Sequence, residues 1–193
     1  PTLGGLIRSP VTPRHPVPVY NRKMTLREAF DRATKYHKPY HQRLRRLIAQ
    51  THEKQGRVVH LNCHSMPSRL HGGARQNLHD VILGTRDGTT ADDALVQKLK
   101  VLLEAKGYKV GLNTPGFRGA EIVRRYGQPA RGQHSIQIEI NRALYMDEKN
   151  LRPHQGMQKL KADLKSVVID FKDYCDAMPP PQPKRLHIVP KGN

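Results

Sequence analysis

The stretch HSIQIEINR, His134 to Arg142, narrows the choice of fold more than any other. Ile136, Ile138 and Ile140 alternate with Ser135, Gln137, Glu139 and Asn141, the period of two that defines a β-strand. Three further strands are expected at residues 57–63 (RVVHLNC, short and buried), 80–84 (DVILG) and 108–113 (YKVGLN). Helices are expected between and around them, at 91–107, in a short stretch ending at Tyr126, and at 154–178. Strands separated by helices of this length predict an α/β sandwich, in which helices cover both faces of the sheet and the strands are nearly all apolar. A glutamate in the middle of one strand's polar face is therefore out of place, and calls for a chemical or electrostatic reason.

Before the first strand, Thr25 and Glu28 fit a capping box that opens a helix through about Gln55, with Gly56 as its stop. Pro39 must kink or divide that helix, because it removes a donor and crowds the preceding turn. Residues 1–23 hold five prolines and no periodicity and read as an extended opening segment. Residues 64–79 read as an irregular loop, and 179–193 as a flexible tail. Residues 1–178 are expected to form a single domain.

Lys and Arg number 34 against 16 Asp and Glu, a formal charge of +18, which favours anionic partners. The excess is concentrated in residues 8–57, where thirteen basic residues face Glu28, Asp31 and Glu53. No arginine-rich block, zinc-finger spacing or aromatic-interleaved strand accompanies it, which argues against nucleic acid. The two cysteines, Cys63 and Cys175, form no metal-type pair and suggest no disulfide scaffold, so a cytoplasmic setting is expected. No apolar run approaches a membrane span, and no secretory leader is expected. Oligomeric state is left open.

In an open α/β sheet ligands bind beyond the carboxyl ends of the strands. That directs attention to His64, at the end of the first strand, and to Asn113, at the end of the third. A histidine at such a position can ligate a metal, act as a base or cap the loop. Glu139 is costly inside a sheet unless it faces a cleft, a metal or a cation. Arg142, three residues on, could be its partner in a structural ion pair; alternatively, Glu139 is a general acid or base. His37 and His41 are four apart but flank Pro39. GTRDGTT lacks the ending of a phosphate loop, and the serines of SMPS lack the spacing of a nucleophile elbow.

Read in order, GLIRS, PVYNRKMT, KPYHQRL, HLNCHSMPS, DVILGTRDGTT, NTPGFRGAEIVRRYGQP and HSIQIEINRALYMDE resemble the N-formylglutamate amidohydrolases, from about Gly5 to Ala177. The resemblance implies a three-layer αβα sandwich with a mixed sheet, akin to the zinc carboxypeptidases. It also implies metal-dependent hydrolysis of the formamide of N-formyl-L-glutamate, or of a similar N-acyl amino acid, to formate and L-glutamate in histidine breakdown. His64 would be a ligand of Zn2+ or another divalent metal, and Glu139 the catalytic carboxylate. Arg142, Arg118 and Arg8 are candidates for the substrate carboxylates, and Asn113 for the substrate backbone. The family's other ligands should come from a His-x-x-Glu pair on an earlier strand, and no histidine here has a glutamate three residues later. The expectation is a family member lacking its amino-terminal portion, with the remaining ligands upstream. The alternative is a non-catalytic basic protein, derived from the hydrolase, that binds a polyanion such as nucleic acid.

Overall fold

The computed structural model describes residues 10–12, 15–18, 20–70, 75–76 and 79–179. The chain divides into two compact units, residues 1–50 and 51–193. In the first, β1 (Pro10–Thr12) and β2 (His15–Pro18) form an antiparallel pair within the expected extended segment. Helix α1 (Leu26–Arg32) starts where the capping box places it. The Glu28 backbone N–H donates to Thr25 Oγ1 at 3.2 Å, and the Thr25 N–H donates to Glu28 Oε2 at 2.9 Å. The Arg22 guanidinium beside Glu28 holds that carboxyl well below its ordinary range.

Pro39 neither breaks the helix nor stands alone in it. A π-helical turn, Ala33–His37, joins α1 to α2 (Lys38–Gln55), and the proline occupies the second position of α2. A proline ring collides with the carbonyl four residues back, and a wider turn relieves that collision without ending the helix. The boundary between the two units falls within α2.

The second unit is built on a four-stranded mixed sheet in the order β3 (Val58–Met66), β8 (Gln133–Asn141), β6 (Val81–Gly84), β7 (Val110–Leu112). Between β3 and β6 lie two short strands, β4 (Arg69–Leu70) and β5 (Arg75–Gln76), which form an antiparallel pair inside the expected loop. After β6 comes helix α3 (Asp93–Ala105), then β7, then α4 (Glu121–Tyr126) and β8. A second short pair, β9 (Met146–Asp147) and β10 (Arg152–Pro153), precedes the long helix α5 (Gly156–Ala177). None of the described helices is long and apolar enough to cross a membrane.

Each face of the sheet follows from the period of its strands. On one face Val81, Leu83, Ile136 and Ile138 are fully or almost fully buried beneath Leu95, Leu99 and Leu103 of α3 and Leu160, Val167 and Phe171 of α5. Those helical residues recur every four or seven positions, the stripe a helix needs to cover a sheet. The other face carries the alternate residues of the same strands and is covered by α4 and the loop before it. The Tyr126 ring stands edge-on to His60 of β3, and the Ala120 N–H donates to Gln137 of β8.

β3 and β8 run parallel, whereas β6 and β7 run antiparallel to β8. The carboxyl ends carrying His64 and Asn113 therefore lie at opposite ends of the sheet. β3 is also longer and less buried than expected. It continues to Met66 because its pairing with β8 persists to Met66↔Asn141. Among the described residues it is an edge strand, so His64 is exposed and lies within the strand, two residues before its end.

Candidate active site

Parallel pairing sets His64 directly opposite Glu139, and Asn62 opposite Gln137. Adjacent strands lie about 4.8 Å apart and opposed residues share a face. His60, Asn62 and His64 thus form a polar row along β3, beside the row of Ser135, Gln137, Glu139 and Asn141 along β8. These side chains are joined in pairs. Asn62 Nδ2 lies 3.0 Å from His64 Nε2, and His60 Nδ1 lies 2.9 Å from Ser135 Oγ. Gln137 Nε2 donates to Glu139 Oε1 at 2.7 Å. Burial lowers the pKa of His60 and so favours its neutral form.

Glu139 is only 6% exposed. Its polar partner on the strand is Gln137, not Arg142: the Arg142 Nε–H donates to Ser65 Oγ at 3.2 Å. Ser65 pairs with Ile140, so it belongs to the sheet face opposite Glu139. Asn113 has a left-handed backbone (φ +47°), and its side chain closes a turn. Its Oδ1 accepts the Thr85 N–H at 2.8 Å and its Nδ2 donates to Thr85 Oγ1 at 3.0 Å. Arg118 is exposed and ion-paired with Asp87 at 3.2 Å. Arg8 lies outside the described residues. The structure thus brings together His64 and Glu139, and sets Arg142, Asn113 and Arg118 in other local contacts.

A loop and a histidine complete this face. Gly84 pairs with Gln137, and a Cβ there would lie 2.7 Å from Gly119 N and 2.8 Å from Phe117 O, so the loop before α4 rests directly on the sheet. Gly111, level with Ile82 and Glu139, lies beneath the His79 ring, 2.9 Å from the position its Cβ would take. The Asn141 amide donates to the His79 carbonyl at 3.2 Å. Gln137, Asn62, His79 and Asn141 were not among the residues expected at the site. The alternation of the two strands, read together with their register, would have found the first two; His79 becomes visible only in three dimensions.

A zinc centre with an open position normally takes three protein ligands. Among the described residues no group of three or more His, Cys, Asp or Glu side chains comes together to hold a metal. If the Asn62 amide is turned so that its oxygen accepts from Nε2–H, His64 can offer the Nδ1 lone pair, but that is one ligand only. The described residues therefore do not by themselves fit a complete metal site. The 560 Å3 groove between the end of α2, β3 and α5 is not this site either. It is lined by Val59, Leu61, Val168, Phe171 and Met178, on the opposite face of the sheet.

Comparison with known proteins identifies the family. The family model described as N-formylglutamate amidohydrolase matches residues 3–146. Two N-formylglutamate deformylases, from Pseudomonas putida and Pseudomonas aeruginosa, are 37% and 35% identical to the chain over 112 residues. Each alignment takes in 58% of this chain and 42% of the relative. The crystal structure of N-formylglutamate amidohydrolase from Ralstonia eutropha superposes with a TM-score of 0.79 at 36% identity, over 88% of this chain and 61% of the other. A gene product of Agrobacterium tumefaciens, 19% identical with a TM-score of 0.57 over 80% of this chain and 57% of its own, shares the fold. This chain thus spans less than two thirds of these relatives' length. With three quarters of its residues matched by the family model, the chain belongs to the N-formylglutamate amidohydrolase family.

Proposed function

We propose that the polar face of β3 and β8 is the amide-cleaving surface of an N-formylglutamate amidohydrolase, converting N-formyl-L-glutamate and water to formate and L-glutamate. The observation that carries this reading is the pairing of His64 with Glu139 on one face, with the Glu139 carboxylate buried and oriented by Gln137. Glu139 takes a proton from the water that attacks the formyl carbon. It returns the proton to the nitrogen as the C–N bond breaks, so the amine leaves neutral. His64, one strand away, lies beside the same reacting centre. The mixed sheet with helical cover on both faces fits a carboxypeptidase-like sandwich. A zinc or other divalent ion at His64 is part of the proposal only with further ligands from outside the described residues.

The test is formate release from N-formyl-L-glutamate by the 193-residue chain supplied with zinc, with a chelated control. Release that the chelator abolishes supports both the activity and the metal; no release refutes activity of this chain. Glu139→Gln is expected to lower turnover by roughly a hundredfold or more, with the melting temperature nearly unchanged. Near-normal turnover in that variant would remove Glu139 from the chemistry.

A further inference from the structure

We propose that Gln137 is a positioning residue that fixes the orientation of the Glu139 carboxylate and ties it to the loop before α4. The inference rests on the reading of Glu139 as the proton carrier. Gln137 is 4% exposed and lies two residues before Glu139, so their side chains are neighbours on one face of β8. Both ends of its amide are engaged: Oε1 accepts the Ala120 N–H at 2.9 Å, and Nε2 donates to Glu139 Oε1 at 2.7 Å.

The amide's orientation is forced. A backbone N–H can only donate, so the oxygen of Gln137 must face Ala120 and the NH2 group must face Glu139. Because Glu139 Oε1 is engaged, Oε2 is left for the proton transfer. Ala120 follows Gly119 in the loop that rests on Gly84, so the position of that loop and the angle of the carboxylate are linked through one side chain. A movement of Ala120 off the sheet would free the Gln137 amide to turn and release the base.

The test is made on the 193-residue chain by NMR and needs no turnover. In the wild type a coupling across the hydrogen bond from Gln137 Nε2 to the Glu139 carboxylate carbon is expected, with Glu139 in a single rotamer. Gln137→Met is expected to average the Glu139 rotamers and to speed exchange of the Ala120 amide by about tenfold or more. Gln137→Glu keeps an acceptor for Ala120, and so keeps that amide slow, but replaces the neutral NH2 donor by a carboxyl group that shares a proton with Glu139. With substrate, both variants are expected to lose about tenfold or more in kcat with little change in KM, the signature of a misaligned base. Absence of the coupling in the folded wild type, or a single Glu139 rotamer in Gln137→Met, would overturn the proposal. Should Gln137→Met fail to fold, the wild-type coupling decides. Turnover surviving in Glu139→Gln would instead sink the functional reading and leave the Gln137 contacts standing as structure alone.

Discussion

Replacing Gly84 with alanine tests how tightly the loop before α4 is seated. The added Cβ would lie 2.7, 2.8 and 2.9 Å from Gly119 N, Phe117 O and Arg118 C. Ordinary contact begins near 3.4 Å, so the loop must retreat by 3.4 − 2.9 to 3.4 − 2.7, or about 0.5–0.7 Å. All three atoms are backbone, so no side chain can rotate out of the way. Overpacking of this kind costs about 1–3 kcal/mol. Stretching the Ala120–Gln137 hydrogen bond adds about 1 kcal/mol, and the stiffer unfolded chain returns about 0.4–1. The net is a loss of about 2 kcal/mol, and at this size each kcal/mol lowers the melting temperature by roughly 2–4 °C. Thermal melts followed by far-UV circular dichroism should therefore show Gly84→Ala melting roughly 4–8 °C below wild type, with faster exchange at the Ala120 amide. A melt within about 1 °C of wild type, with Ala120 still protected, would refute the seating of the loop on the sheet.

The remaining predictions concern stability. Burial lowers the pKa of His134 and of His60, so below about pH 6.5 the unfolded chain takes up protons that the folded chain resists. Asp92, 3.8 Å from His134 Nε2, opposes this for His134, and Arg57 reinforces it. The urea midpoint should fall between pH 7.5 and pH 5.5, and His134→Gln should flatten the fall; a midpoint independent of pH would contradict this. Tyr108 Oη donates to Asp163 at 2.7 Å, and burial together with that carboxylate pushes its pKa far up. Tyr108→Phe should cost about 1 kcal/mol in urea unfolding. Thr25→Ala removes the cap of α1, and should destabilise that helix by about 1 kcal/mol and speed exchange at the Glu28 amide.

Much of this arrangement is legible in the linear sequence, because period and punctuation are local properties. The isoleucines of β8, the leucine stripe of α3 and the Thr25–Glu28 box each lie within a few residues and appeared where expected. Glu139 was legible for the opposite reason, as a charge that breaks a local rule. What the sequence hid depends on partners distant in the chain. β3 runs three residues past its expected end because β8, seventy-five residues later, continues to pair with it. The direction of β6 and β7 relative to β8 has no local signal, so Asn113 looked like a neighbour of His64 when it closes a turn with Thr85. Arg142 was expected beside Glu139 from its spacing, but the chain turns out of β8 directly after Asn141. The turn at Pro39 was half visible: the collision was foreseen, but not its relief by a π-helical turn.

The edge strand β3 has a colloidal consequence. Along its outer side, among the described residues, the backbone groups of a nine-residue strand have no neighbouring strand, and a greasy groove lies behind them. Such an edge is a template on which another copy can add. What opposes that encounter is the charge of +18 that every copy carries. The repulsion acts over a screening length of about 10 Å at 0.1 M salt and only about 3 Å at 1 M. Raising the ionic strength of a concentrated solution thus lets copies of this chain, and the β3 edge of their described sheets, approach one another more closely.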